Sequence, residues 1–351
     1  MLVWPTVTRR NALLSLPAAA SLSCLAAKPD PHLELIKPSV LKQGNTIGVI
    51  SPSTQVTDPN RLDLAQHTID YFGLKAKWGR SVRSHRAQDV ATIDERVDDN
   101  HSLFRDPDVR AILCIRGGYG AGQLLAHIDY KLIRENPKIF IGYSDITALH
   151  LAFHNFAGLV TFHGPVLLSE FTPFTQDCFR RALFSKAPLG PLTNPPESNI
   201  LRPNHNLRVV RPGTARGPLM GGNLTLISTL MGTPYEIETK GRLFFTEDVG
   251  EEPYRIDRML TQLRLAKKLQ EAAGTIFGEC QNCEPSDFKP SFAWNRTFGE
   301  VLDDRFSGIN TPVLSGLTIG HTADQLTLPL GITATLDAAK GSLIVEESAT
   351  D

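Results

Sequence analysis

Short apolar runs alternate with amphipathic stretches along the first half of the chain. The runs at 46–51, 109–115 and 138–142 each end at or just before a glycine or proline, as buried strands do. Between them, apolar residues recur at helical spacing, for example over 60–72. Strands that alternate with helices predict a parallel sheet covered on both faces. We therefore expect a Rossmann-like α/β domain that binds its ligand at the carboxyl ends of the strands.

The pattern changes in the middle of the chain. The segment 186–206 contains five prolines and little apolar periodicity, which predicts a linker. This linker divides an N-terminal α/β domain at 28–185 from a C-terminal domain at 207–351. The second half mixes short β-like runs with helical periodicity at 223–231 and 253–269. We expect its fold to be a smaller, β-rich α+β domain.

The first 27 residues read as an export signal rather than as part of the fold. Arg9 and Arg10 precede an uncharged stretch rich in Leu and Ala, which is typical of a twin-arginine signal. Cys24 is an alternative lipidation site, although the residues before it match that signal poorly. No later segment is apolar enough to span a bilayer. We expect a periplasmic protein without a membrane span after signal removal, or a cytoplasmic one if the segment is not a functional signal.

Composition narrows the possible classes of function. The chain has 351 residues, of which 41% are hydrophobic and 21% charged, so it is neither disordered nor fibrous. Lys and Arg number 36 and Asp and Glu 37, for a net charge of −1. Such a balance argues against nucleic acid as a partner.

The sharpest local signal is a serine between a strand and a helix. The apolar run before Gly142 leads into Tyr143, Ser144, Asp145 and a helical stretch. This order resembles a nucleophile elbow, although Ile146 stands where a second glycine is usual. The alternative is that Ser144 only caps the helix.

A glycine-rich loop, RGGYG, closes the preceding strand at 116–120. Glycine allows the backbone to approach a ligand closely and to adopt positive φ. A backbone N–H here is a candidate oxyanion donor beside that of Asp145. The alternatives are a phosphate-binding loop or a plain turn, but a P-loop is excluded because no Gly-Lys-Ser/Thr follows.

A serine nucleophile needs a base and an orienting carboxylate. His163 and His321 both follow apolar runs, where a general base is plausible. Glu247 and Asp248 end another apolar run, and their spacing does not choose between them. His150 and His154 have the spacing of zinc ligands but lack the glutamate of a metalloprotease motif, so we interpret them as structural or surface residues.

Cys280 and Cys283 form a C-x-x-C motif. A small disulfide, a redox pair and free thiols are all compatible with it, and we favour a structural or free-thiol role over a redox one.

Seven motifs in order resemble one family, the serine LD-carboxypeptidases of the S66 type, which include the microcin C self-immunity peptidases. No single motif is decisive, but their order over about residues 40–345 is specific. The matching segments are 48–53, 116–120, 142–147, 163–165, 221–224, 247–248 with 253–258, and 320–322 with 328–331.

The resemblance implies roles for particular residues. Ser144 matches the nucleophile, His321 the base and Glu247 the triad carboxylate, while the N–H groups of Gly118 and Asp145 match the oxyanion hole. The family forms dimers, uses no metal or other cofactor, and places its site between two domains. It releases terminal D-alanine from murein tetrapeptides, or, in the immunity branch, cleaves an acyl-sulfamate or aminoacyl-nucleotide amide.

The bound substrate carries a free carboxylate that a basic side chain must hold. Arg116 and Arg255 are our candidates for that task, since a bidentate arginine suits it, and His163 is a further candidate near the site. A competing hypothesis from another class is an exported, non-catalytic binding protein in which Ser144 is only a helix cap.

Overall fold

The computed structural model describes residues 33–82, 91–197, 201, 203–285 and 296–351. The predicted export signal at 1–27, with Arg9, Arg10 and Cys24, lies outside them. None of the helices formed by the described residues is long and apolar enough to cross a membrane.

The first half of the chain forms a mainly parallel sheet. Its strands follow the order β12-β5-β4-β3-β1-β2, and only β12, contributed from the C-terminal half, runs antiparallel to its neighbour. The central strands are buried on both faces, which is why they read as continuous apolar runs in the sequence. The strands are β1 (Thr46–Ile50), β2 (Lys75–Trp78), β3 (Val109–Cys114), β4 (Ile139–Gly142), β5 (Phe162–His163) and β12 (Leu328–Pro329).

The helices of the first half begin where capping residues allow. Asp58 accepts a hydrogen bond from the backbone N–H of Asn60 at the start of the first helix, and Thr92 forms a capping box with Glu95 at the second. These helices are α1 (Pro59–Tyr71), α2 (Ile93–Arg105), α3 (Tyr130–Glu135), α4 (Thr147–Ala152) and α5 (Pro173–Leu183).

The second half forms a mixed sheet in the order β6-β14-β13-β8-β9-β10-β11-β7. Its four central strands, β8 to β11, are parallel, and the flanking strands are antiparallel. The strands are β6 (Gly190–Leu192), β7 (Arg208–Arg211), β8 (Thr214–Asn223), β9 (Leu243–Val249), β10 (Gly274–Gln281), β11 (Val313–Leu317), β13 (Thr333–Asp337) and β14 (Ser342–Val345).

Helices pack on this second sheet. Asn223 caps one of them by accepting a hydrogen bond from the N–H of Leu226 at 3.2 Å, as the sequence predicts. They are α6 (Leu224–Leu230), α7 (Pro253–Leu265), α8 (Lys268–Glu271) and α9 (Phe298–Arg305). The expected fold class, a parallel α/β half followed by a β-rich half, is confirmed.

The structure differs from the predicted linker at 186–206. Gly190–Leu192 of that segment is strand β6, paired with β14 at the edge of the second sheet. Asn194 then bonds to the carbonyl of Gly316 and to the N–H of Thr318. Edge strands tolerate proline because one side of their backbone needs no partner, so a proline-rich stretch still enters a sheet.

One helical prediction needs correction. The stretch after the glycine-rich loop forms a 3-10 helix, Ala121–His127. The periodic stretch 253–269 is broken at Lys267, whose φ of 61° lies in the left-handed region and starts a new helix axis. Hydrophobic spacing does not report such a change of backbone angle.

Replacing Thr92 tests the cap of α2. Thr92→Ala removes the hydroxyl that accepts from the N–H of Glu95, which we expect to cost about 1 kcal/mol of stability. The thermal midpoint should fall by about 2 °C. Thr92→Ser keeps the hydroxyl and is the matched control; equal midpoints for the two variants would contradict this role.

Candidate active site

Ser144 occupies a strained turn at the carboxyl end of β4. Its φ of 65° is left-handed, a region that costs a non-glycine residue roughly 1–3 kcal/mol and is concentrated at functional sites. A short 3-10 turn, Ser144–Ile146, leads directly into α4. Gly142 explains the departure from the usual motif, because a Cβ atom there would lie 3.0 Å from the Ile146 side chain. The elbow therefore forms with one glycine, Gly142 before the serine, and without the second glycine that usually follows it.

The glycine-rich loop after β3 lies against this elbow. A Cβ atom on Gly117 would be 3.1 Å from Cβ of Ser144, and one on Gly118 would collide with Oγ1 of Thr54. Gly118 also has a φ of 120°. Its N–H donates no hydrogen bond to any described residue, so it is available to an oxygen atom bound beside Ser144.

The side chain of Asp145 ties three loops together. Its Oδ2 accepts a hydrogen bond of 2.5 Å from the Ser53 hydroxyl, after β1, and one of 2.7 Å from the N–H of Ala121, after β3. Burial raises the pKa of this carboxyl, against the opposing effect of both donors. Asp145 thus fixes the elbow to the glycine-rich loop, while its backbone N–H lies next to Ser144.

His321 and Glu247 form a buried pair at the ends of strands from the second sheet. His321 Nδ1 lies 2.7 Å from Oε2 of Glu247, whose side chain is 0% exposed, against 20% for His321. Gly320, with a φ of 90°, leaves room for this carboxylate, since a Cβ atom there would collide with it.

The pair shifts the pKa of both partners. Burial raises the pKa of Glu247, although the hydrogen bond and charge of His321 oppose that shift. Burial lowers the pKa of His321, but the hydrogen bond and negative charge of Glu247 outweigh it, so the pKa stands above the ordinary 6.5. A carboxylate on Nδ1 leaves Nε2 as the basic nitrogen of the neutral ring.

Asp248 is excluded as the orienting carboxylate. Its oxygens accept hydrogen bonds from the N–H and hydroxyl of Thr225 at 2.9 and 2.8 Å, and from the amide of Asn223 at 3.2 Å. These bonds hold the start of α6. Adjacent residues of a strand point to opposite faces, so only Glu247 faces His321.

The two halves meet around Tyr143. Its ring packs edge-to-face on the His321 ring with centroids 4.9 Å apart, and Tyr143 is the residue just before Ser144. The N–H of Asn223 donates to Oγ1 of Thr147 on α4 at 2.9 Å. The structure therefore brings the serine elbow and the His–Glu pair together. Along the chain, His321 is 177 residues and Glu247 is 103 residues away from Ser144.

The candidate His163 lies behind this site. It is fully buried, with Phe245 and Tyr143 edge-to-face against its ring, and burial lowers its pKa. A neutral, enclosed imidazole does not reach a substrate carboxylate, so the prediction that it contacts substrate is not supported.

The two arginine candidates differ in their surroundings. Arg116 is half-buried beside Gly117 and has no hydrogen bond or ion pair with any described residue. Arg255 is exposed on α7, where it bonds to the hydroxyl of Tyr254 at 3.0 Å and pairs with Glu251 at 3.5 Å. Of the two candidates, Arg116 is therefore the one that lies close to Ser144 and has no hydrogen-bond or ion-pair partner among the described residues.

One supporting residue escapes sequence reasoning. Gln325 is buried and donates to the carbonyl of Gly320 at 2.6 Å, which holds the loop that carries His321. Burial of a glutamine in the core has no local signature, so nothing in the sequence marks this position.

His150, by contrast, is interpreted from the sequence as a structural or surface residue. It bonds to Thr161 and to the carbonyl of Gly142, both at 2.9 Å, which agrees with a structural role.

The C-x-x-C motif is a disulfide between Cys280 and Cys283, at the end of β10. β10 pairs with β9, and Cys280 lies opposite Asp248. The disulfide is therefore one strand away from the carboxylate of the site.

Comparison with known proteins is consistent with this architecture. Models of the LD-carboxypeptidase N-terminal and C-terminal domains match residues 47–164 and 216–336. These ranges fall within the two domains that the sequence predicts.

Individual relatives cover most of the chain. A probable murein peptide carboxypeptidase of Bacillus subtilis is 39% identical over 90% of this chain and 96% of its own. The structure of microcin C7 self-immunity protein MccF in complex with aspartyl sulfamoyl adenosine has a TM-score of 0.80 at 29% identity, and covers 90% of this chain and 100% of that one. Muramoyltetrapeptide carboxypeptidase from Oxalobacter formigenes has a TM-score of 0.73 at 28% identity, over 86% of this chain and 99% of its own. With both domain models matched in order, the chain belongs to the S66 LD-carboxypeptidase family of peptidases.

Proposed function

We propose that this chain is a serine LD-carboxypeptidase that releases terminal D-alanine from murein tetrapeptides. The observation that carries the proposal is the buried Glu247–His321 pair packed against Tyr143, beside a serine in a strained elbow. A helix cap alone requires neither the left-handed serine nor the His–carboxylate pair, which argues against the non-catalytic binding protein.

The first step forms the acyl-enzyme. Nε2 of His321 takes the proton from the Ser144 hydroxyl as the oxygen attacks the carbonyl of the bond to D-alanine. Glu247 holds the Nδ1–H and stabilises the imidazolium. The N–H groups of Gly118 and Asp145 bind the negative oxygen of the tetrahedral intermediate, each contributing roughly 3–4 kcal/mol.

The intermediate then collapses and His321 returns its proton to the amine of the leaving D-alanine. Water, deprotonated by His321, attacks the ester carbonyl, and the same proton restores the Ser144 hydroxyl. The reaction balances as hydrolysis of one amide to a carboxylate and an amine.

Arg116 is proposed to bind the carboxylate of the terminal D-amino acid. Among the described residues no side chain pairs with this half-buried cation beside Ser144, so its guanidinium is available to a substrate carboxylate. Arg255 already has partners and solvent, so it is the weaker candidate.

A second candidate substrate is an aminoacyl amide of a nucleotide, on which the same acyl-transfer chemistry acts. The similarity to MccF, whose structure was solved with aspartyl sulfamoyl adenosine, is the reason to test this substrate class. Incubating the enzyme with a murein tetrapeptide and with aspartyl sulfamoyl adenosine separates the two. D-Alanine release with the aspartyl sulfamoyl adenosine left uncleaved supports the murein assignment, whereas aspartate release from that compound without D-alanine release overturns it.

Export to the periplasm and assembly as a homodimer remain part of the proposal. The Cys280–Cys283 disulfide supports export, because structural disulfides persist in oxidising compartments.

Loss of the nucleophile tests the mechanism. We expect Ser144→Ala to lower kcat for D-alanine release by about 10⁴-fold or more, since the triad acts as a unit. Mass spectrometry of the quenched wild-type reaction should show the acyl adduct, which the variant lacks. Ser307→Ala, an exposed serine away from the site, is the control. Activity retained in the Ser144 variant would contradict the mechanism.

The pH profile tests the Glu247–His321 pair. His321 acts only when neutral, so kcat/KM should fall as the pH drops through its raised pKa. In Glu247→Gln we expect kcat to fall about 10⁴-fold and the remaining activity to persist to lower pH, because the hydrogen bond to a carboxylate and the charge that oppose burial at His321 are then largely lost. If the fall of kcat/KM at acidic pH is unchanged in that variant, the Glu247–His321 pair does not determine the pKa of the general base.

Substitution of the arginines tests carboxylate binding. Arg116→Ala should raise KM for the tetrapeptide by about tenfold or more, the effect of losing a charge-assisted hydrogen bond. Arg116→Lys should recover part of that loss. A tetrapeptide with a C-terminal amide should bind both proteins equally weakly. If Arg255→Ala has the larger effect on KM, the assignment to Arg116 is wrong.

A further inference from the structure

A second histidine joins two carboxylates near the site. His205, which precedes β7, has Nδ1 2.6 Å from Oε1 of Glu279 on β10 and Nε2 3.3 Å from Oδ2 of Asp324. The side chains are only 12%, 14% and 27% exposed, respectively. The mechanism proposed above uses none of these groups.

The geometry requires a charged imidazole. A neutral ring has a single N–H and can donate to one carboxylate only, which leaves a lone pair facing the other. The imidazolium donates to both. Burial opposes the charged ring, but the hydrogen bonds and charges of Glu279 and Asp324 outweigh it, and the pKa of His205 is raised.

Asp324 lies in the loop that carries His321. The loop is held mainly by side chains: Gln325 donates to the carbonyl of Gly320, and its own N–H donates to Oγ1 of Thr175 at 2.8 Å. Thr172, the cap of α5, donates its hydroxyl to Asp324. His205 is the cationic member of this set and connects the loop to β10.

We propose that His205 is a positioning residue for the general base, since it bridges Glu279 and Asp324 and so fixes the loop that presents His321. The inference rests on the proposed function, in which His321 is that base. His205 does not touch the reacting atoms, so it acts on the placement of His321 and not on substrate binding.

The bridge depends on pH in a defined direction. Because the pKa of His205 is raised on folding, the stabilisation is complete below the ordinary pKa and is lost as the pH rises through the raised one. Among the described residues, the charged groups that face the cluster are Glu279 from β10, Asp324 from the loop, and Glu197, whose carboxylate accepts the N–H of His205 at 2.6 Å. All three are acidic, so each favours the imidazolium.

The kinetic test measures kcat and KM against pH. At neutral pH, His205→Gln should lower kcat by about tenfold with KM nearly unchanged, the cost of a misplaced base. Wild type should lose activity at alkaline pH and converge on the variant there. Glu279→Gln should move that alkaline limb to lower pH. Asp303→Asn, which removes the charge of an exposed ion pair on Arg208 of neighbouring β7, is the control.

The results separate a positioning role from a merely structural one. A loss of the same size at every pH, or no loss, in His205→Gln overturns the proposal. If His205→Gln does not fold, an alkaline limb that fails to move in Glu279→Gln overturns it.

Hydrogen exchange gives a readout that does not require activity. In the Ser144→Ala protein, the amides of residues 320–326 should lose protection, corrected for intrinsic rates, as the pH rises through the pKa of His205. In the protein that also carries His205→Gln, protection should be low throughout. Unchanged protection overturns the positioning role and leaves the proposed function standing. An active Ser144→Ala protein defeats the proposed function, whatever the exchange shows.

Discussion

The site depends on a glutamate buried without solvent and compensated by one histidine. Burying a carboxylate is costly unless a partner satisfies it, and Glu247 at 0% exposure has His321 at 2.7 Å. The same contact orients the imidazole and raises its pKa. Gly320 is required because any side chain would occupy the place of the carboxylate. Removing His321 therefore leaves a buried carboxylate without its partner, and removing Glu247 leaves the imidazole without the group that orients it.

Neighbouring carboxylates at the end of β9 perform opposite tasks. Glu247 faces the histidine, whereas Asp248 is saturated by donors from Thr225, Asn223 and Val249 and fixes the start of α6. The alternation of side chains along a strand produces this division. Asp145 has a comparable role on the other sheet, where its carboxylate joins the elbow to two loops while its N–H remains beside Ser144. The strain at Ser144 is thus supported by a fixed surrounding structure.

The proposed active site needs both halves of the chain. The elbow ends a strand of the first sheet, and the His–Glu pair ends strands of the second. Their junction is made by the Tyr143–His321 ring contact, by the Asn223–Thr147 hydrogen bond, and by β12 of the second half, which pairs with β5 of the first. Because β12 follows the His321 loop directly, the sheet of one half also anchors the base supplied by the other. Catalysis by such a site requires the two sheets to keep their relative position.

The sequence by itself determined the local structure. Apolar runs and periodicity located strands β1, β3 and β4 and helices α1, α6 and α7 within a few residues, because burial and helical pitch leave a direct pattern in the chain. Motif order identified the family and, through the resemblance, proposed Ser144, His321 and Glu247 as its triad. The resemblance already favoured Glu247 over Asp248, and the structure adds the physical reason. The enclosure of His163, the lack of a partner for Arg116 among the described residues and the bridge at His205 were decided only by the tertiary structure. Each depends on which distant side chain lies opposite, and neither spacing nor composition records that. Proline richness predicted only a linker at 186–206, because the pairing of Gly190–Leu192 as β6 depends on β14, which is more than 140 residues away.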